Sequence, residues 1–121
     1  MDMYSFSLDN RHRCEAENGF NHPLNAWSLS DWFTAVMGEL GEAANIAKKL
    51  NRVRDGILGN KESEQELREK LAHELADTFI YLDLLCQAAN IDLPSNIEKV
   101  FDAKSKEIGY PIRIGMRDYP I

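Results

Sequence analysis

No stretch of this 121-residue sequence approaches the roughly 18 consecutive apolar residues that a membrane-spanning helix needs. The first ten residues hold neither a basic segment nor an apolar one, so no secretion signal is expected. A cytoplasmic protein with no membrane partner is the expectation. Cysteine is scarce: Cys14 and Cys86 are the two, and neither stands in a CxxC pair or another metal-ligand spacing. That excludes a zinc finger and a disulfide-stapled scaffold. Cys86 lies in an apolar helical run and reads as a buried thiol, with a single Cys14–Cys86 bridge as the alternative. Positive charge is short, with 14 Lys and Arg against 20 Asp and Glu and a net charge of −6. Such a surface repels a polynucleotide backbone, so general nucleic-acid binding is not expected. Low-complexity segments and alternating strand patterns are also missing, which leaves an all-α fold in one domain spanning residues 1–121.

Helix signals are plentiful. A short first helix is expected over about residues 8–17, stopped by Asn18-Gly19. Residues 20–27, with Pro23, read as a loop. A second helix opens near Ser28 or Ser30, where Ser28 with Asp31 has capping-box spacing, and runs to about Arg54, ahead of Gly56. Its end is crowded with Lys48, Lys49, Arg52 and Arg54, where the helix dipole favours cations. Ser63 with Glu66 opens a third helix to about Ala89, and Ser95 with Glu98, after Pro94, a fourth to about Ile108. Residues 110–121, with prolines and glycine-flanked turns, are expected to form an extended C-terminal arm.

The two long helices repeat one another. Val36, Leu40, Ala43, Ala47 and Leu50 form an apolar seam, and so do Leu71, Leu75, Thr78, Leu82 and Leu85, with the same 4, 3, 4, 3 steps. An offset of 35 residues superimposes the seams and carries Glu39 onto Glu74 and Glu42 onto Asp77. Each helix therefore bears an acidic i, i+3 pair, its members about 60° and 120° from the seam centre at about 100° per residue. Packed antiparallel through their seams, the helices can bring both pairs to one cleft. A four-helix bundle or a dimer of helical hairpins is the natural architecture. Apolar flanks at Phe33, Ile46, Phe79 and Ile80 stay poorly covered by one hairpin, so a homodimer or homotetramer is expected.

One acidic pair on a helix is an ordinary solvated patch; two matched pairs ask for a counter-charge. Four carboxylates without His or Cys suit a hard cation, Mg²⁺ with Mn²⁺ as a substitute, which keeps waters and shares its shell with phosphates. A di-iron bundle would want Glu-x-x-His, and that spacing is absent. Asn45 and Lys49 follow Glu42 towards the end of the same helix, Lys49 serving either a phosphate or the helix dipole. Trp27 and Trp32 are candidates for stacking on a base or for the core, and Trp32 falls on the seam. Tyr81, four residues after Asp77, can line the cleft or a subunit contact.

The runs Trp27-Ser28-Leu29-Ser30-Asp31-Trp32, Gly38-Glu39-Leu40-Gly41-Glu42-Ala43, Lys48-Lys49-Leu50 and His73-Glu74-Leu75-Ala76-Asp77 resemble a MazG-like protein of the all-α nucleoside triphosphate pyrophosphatases. The resemblance covers about residues 27–110. It implies hydrolysis of a (d)NTP to monophosphate and pyrophosphate, in nucleotide-pool house-cleaning, with Mg²⁺ on Glu39, Glu42, Glu74 and Asp77. Glu39 or Glu42 is the expected activator of water. The resemblance also implies phosphate contacts from the last helix, where Asn96-x-x-Lys99 and Lys106 are similar to the family's element. The 31-residue spacer between Glu42 and Glu74 is longer than in many members. Two other readings stand beside this one: a pyrophosphatase selective for dUTP or dCTP, and a non-catalytic helical interaction module.

Overall fold

A computed structural model describes residues 1–116. Among them four α-helices and one 3-10 turn occur and no strand: α1 (Met3–Glu15), the 3-10 turn (Leu24–Ala26), α2 (Leu29–Arg54), α3 (Glu64–Ala88) and α4 (Leu93–Glu107). The all-α expectation stands. No helix among these residues is long and apolar enough to cross a membrane.

Local chemistry explains where the long helices begin. Ser28 accepts the Asp31 amide at 3.2 Å while the Asp31 carboxylate accepts the Ser28 amide at 3.0 Å, a closed capping box. Ser63 accepts the Glu66 amide at 3.1 Å and starts α3 in the same way. α4 begins earlier than Ser95–Glu98 spacing predicts. Asp92 is the cap and accepts the Ser95 amide at 3.2 Å. Pro94, which has no amide to satisfy, fits the first turn and pulls the start forward. α1 also starts earlier than expected, because Asp2 caps it through the Ser5 amide at 2.8 Å, and it ends at Glu15. Gly19 closes the turn that follows: a Cβ there would lie 2.1 Å from the Arg13 carbonyl oxygen.

α2 and α3 form an antiparallel hairpin. Lys49 pairs with Glu62 at 3.2 Å near the connecting loop, while Trp32 packs with Leu84 and Leu85 at the other end. α1 lies antiparallel on α3, with Tyr4 bonded to Asp92, Ser7 to Asp83 and Asn10 to the Ile80 carbonyl. The core sits where α1 and the 3-10 turn close the open end of the hairpin. Trp32, 1% exposed, is its centre, with Cys14, Leu24, Val36, Leu84, Leu85 and Cys86 around it. The Trp32 indole N–H donates to the Leu24 carbonyl at 3.0 Å, so its one polar atom is satisfied. Cys14 and Cys86 are both buried and free, so the bridge considered from sequence does not form.

The buried stripe differs from the expected seam by a small rotation. Val36, Ala43 and Leu85 are buried, but Leu40 and Leu75 are 42% and 49% exposed. Glu39 and Glu74 take their places, half-buried between the helices. Trp32 turns α2 about this line, because the largest apolar side chain claims the deepest position. Of the apolar flanks, Phe33 and Phe79 are exposed, whereas Ile46 and Ile80 are half-buried.

α4 touches the rest of the fold mainly at its start, where Leu93 packs against the core. Ile97, Val100 and Phe101 on it, and Ile108 at its C-cap, are all exposed. Residues 110–116 return against it: Ile112 is buried and the Ile114 amide donates to Asp102 at 2.8 Å. The remainder of the expected arm, residues 117–121, lies outside the described residues.

Candidate functional site

Three of the four carboxylates reach one place from two helices. Glu39 on α2 and Glu74 and Asp77 on α3 each offer an oxygen, and these atoms lie within 4.8 Å of one another. Among the described residues this is the group able to hold a metal ion. Antiparallel pairing of helices whose acids share a seam position brings Glu39 opposite Glu74. Asp77 lies one turn further along α3 on the same side. Glu42 stands outside the trio and meets Glu74 side chain to side chain.

The electrostatics are those of an unneutralised cluster. The Glu74 carboxyl is pushed above the usual carboxylate range, first by its contact with Glu39 and then by desolvation. Contact with the Glu74 carboxyl and its charge push Glu42 up as well. Oε2 of Glu74 is buried and finds no hydrogen-bond partner. His73 Nε2 lies 3.1 Å from Asp77 Oδ2, an i, i+4 pair at the rim. No lysine or arginine pairs with these four acids among the described residues. Oxygen donors only, like charge and an orphaned buried oxygen fit a hard divalent cation.

A cavity of about 290 Å³ adjoins the cluster, and Asp77 is part of its wall. Aromatic rings dominate it. His22, Trp27 and Trp32 pack edge to face, with centroids 4.6 Å apart for His22–Trp27 and 4.7 Å for Trp27–Trp32. Phe20 carries the Arg13 guanidinium 5.3 Å from its ring centre. Tyr81 and Ile80 come from α3, and Asn10 from α1. The volume lies just below the usual range for small-molecule sites.

Trp27 and Tyr81 thus both line the cavity. Asn45 is exposed on α2. Lys49 is held by Glu62 at 3.2 Å, nearer the loop end of the hairpin. Asn96 is turned back on its own helix, donating to the Asp92 carbonyl at 2.7 Å. Lys99 and Lys106 are exposed on α4, and no hydrogen bond or ion pair joins them to the carboxylates within one chain. The residues that spacing missed are Asn10, Arg13, Phe20 and His22. They come from α1 and the loop after it, share no motif, and meet α3 only through the fold. Comparison with protein-family models, with curated proteins and with solved structures found no match to this chain.

Proposed function

We propose that the protein hydrolyses (deoxy)nucleoside triphosphates to nucleoside monophosphate and pyrophosphate with Mg²⁺, or Mn²⁺ in its place. One observation carries the reading: Asp77 belongs both to the carboxylate trio and to the wall of the aromatic cavity. A ligand with a flat ring at one end and a chain of phosphates at the other spans those two features. The resemblance of residues 27–110 to MazG-like proteins points the same way.

Glu39, Glu74 and Asp77 would hold the cation, with Glu42 beside them. Bound there, it supplies charge neutralisation for the phosphate oxygens. The chain's own work is to position and to move a proton. No Ser, Cys or Lys nucleophile stands among the four acids, so water attacks directly, at the α phosphorus by the same resemblance. Glu42, outside the trio and with its carboxyl pushed up by Glu74, is the group assigned to take the proton from that water. The aromatic walls stack on the base and fix the other end of the substrate. The assembly is a homodimer or homotetramer, covering the apolar side chains left open on α2 and α3. Incubation of the purified protein with a panel of (d)NTPs, with and without Mg²⁺, tests the reading through the products formed.

A further inference from the structure

Asn10 is 5% exposed and lines the aromatic cavity. Its amide nitrogen is fully used, donating to the Ile80 carbonyl at 3.0 Å and to Asp83 Oδ2 at 2.9 Å. Two acceptors on that one nitrogen settle which way round the amide lies, since the flipped form would set oxygen against oxygen. Asp83 is itself held. It is 2% exposed and also accepts from Ser7 Oγ and from Gln87 Nε2, the latter at 2.9 Å. The carbonyl oxygen of Asn10 has no hydrogen-bond donor among the described residues. It is the polar atom of the side chain that its own contacts leave free, on a residue that lines the cavity.

We propose that Asn10 determines base specificity: its carbonyl oxygen accepts a hydrogen bond from an exocyclic amino group, so the site takes cytosine and adenine over uracil and hypoxanthine. This rests on the nucleotide reading above and narrows it, favouring dCTP over dUTP between the two pyrimidines. The amino-bearing bases place a donor beside a ring nitrogen that accepts. Asn10 supplies the matching acceptor, and Arg13, on the same α1 wall, is a donor for the base's acceptor edge. In uracil or hypoxanthine a carbonyl oxygen takes the amino group's place. Two acceptors then face each other, and the held amide cannot rotate to relieve them. Sites built around a donated hydrogen bond reject the analogue lacking it strongly.

The test is equilibrium binding of matched monophosphates, dCMP against dUMP and dAMP against dIMP, followed by quenching of the two tryptophans, both of which line the cavity. The amino member of each pair should bind tighter by about tenfold or more. Asn10→Ala, shown to be folded by circular dichroism, should bring each ratio close to one. Equal binding within the pairs, no binding of any of the four, or an unchanged ratio in folded Asn10→Ala would each overturn the proposal. Should Asn10→Ala fail to fold, the wild-type ratios decide alone. Selective binding of dCMP without hydrolysis of dCTP would sink the catalytic reading and leave this one standing. Hydrolysis of dCTP and dUTP with equal kcat/KM would do the reverse.

Discussion

Glu39 and Glu74, 35 residues apart and on equivalent positions of α2 and α3, meet across the hairpin with carboxylate oxygens within 4.8 Å. They sit where a packing seam would ordinarily place leucine. Leu40 and Leu75, one residue on, are the ones displaced towards solvent. A hairpin that sets like charges against each other at its seam works against its own stability unless a counter-charge is supplied.

Replacing Glu39, Glu74 or Asp77 singly with Ala should lower kcat by at least about a hundredfold, since loss of one charge-stabilising group costs on that order. Glu42→Ala should lower kcat comparably while leaving Mg²⁺ affinity within a few-fold of wild type, because Glu42 lies outside the trio. Steady-state kinetics with Mg²⁺ titration checks both. Near-normal turnover in Asp77→Ala would remove the site.

The pH dependence of the metal-free protein follows from the raised carboxyls of Glu42 and Glu74. A carboxyl that binds its proton more tightly folded than unfolded makes the folded state the more protonated one. Stability then falls as pH rises from the ordinary glutamate value of 4.5 through the raised folded value. Thermal melts in chelator across that window should show the decline. Glu74→Gln should flatten it, and Mg²⁺ at neutral pH should restore the lost stability. A melt that climbs with pH there, in the absence of metal, would contradict the clustered carboxyls.

How much of this was readable in advance varies with how local the cause is. The starts of α2 and α3 were, because Ser28–Asp31 and Ser63–Glu66 act within one turn. The meeting of Glu39 with Glu74 was legible on the condition that the two helices pack antiparallel, because helical period and a shared offset then place it. The start of α4 was not, because Asp92 and Pro94 together outweigh a Ser95–Glu98 pair that looks equally good by spacing. α1 was blurred because much of its attachment is polar, with Ser7 and Asn10 bonded to Asp83, and it carries almost no apolar periodicity. The cavity was the least legible, since Asn10, His22, Trp27 and Tyr81 are neighbours only once three helices have packed.

The Asp83 node should matter to stability more than any surface ion pair. It is 2% exposed and receives donors from Ser7, Asn10 and Gln87. Asp83→Ala strands these donors and should cost about 3 kcal/mol, within the range for unmade buried hydrogen bonds. Arg68→Ala, which breaks an exposed i, i+4 pair with Glu64, should cost under about 0.5 kcal/mol. Urea unfolding of both variants makes the comparison. Equal stability losses would mean that α1 is not anchored through Asp83.

Phe33, Met37 and Leu40 recur along one face of α2 with exposures of 55%, 59% and 42%, and Leu75 and Phe79 are exposed on α3. Such a stripe on a two-helix layer calls for a second layer. Light scattering at micromolar concentration should give a dimer or tetramer, and Met37→Glu should shift it towards monomer. A stable wild-type monomer would count against the assembly.

The central claim is the reaction, and its most direct measurement is product analysis after incubation with Mg²⁺ and the (d)NTP panel in ¹⁸O-labelled water. The account predicts nucleoside monophosphate and intact pyrophosphate, formed only with the divalent metal, abolished in Asp77→Ala, and with the label in the monophosphate. Label in the pyrophosphate would move the attack to the β phosphorus. Nucleoside diphosphate with free orthophosphate, or no turnover of any triphosphate by the folded protein with Mg²⁺ or Mn²⁺, would contradict the assignment.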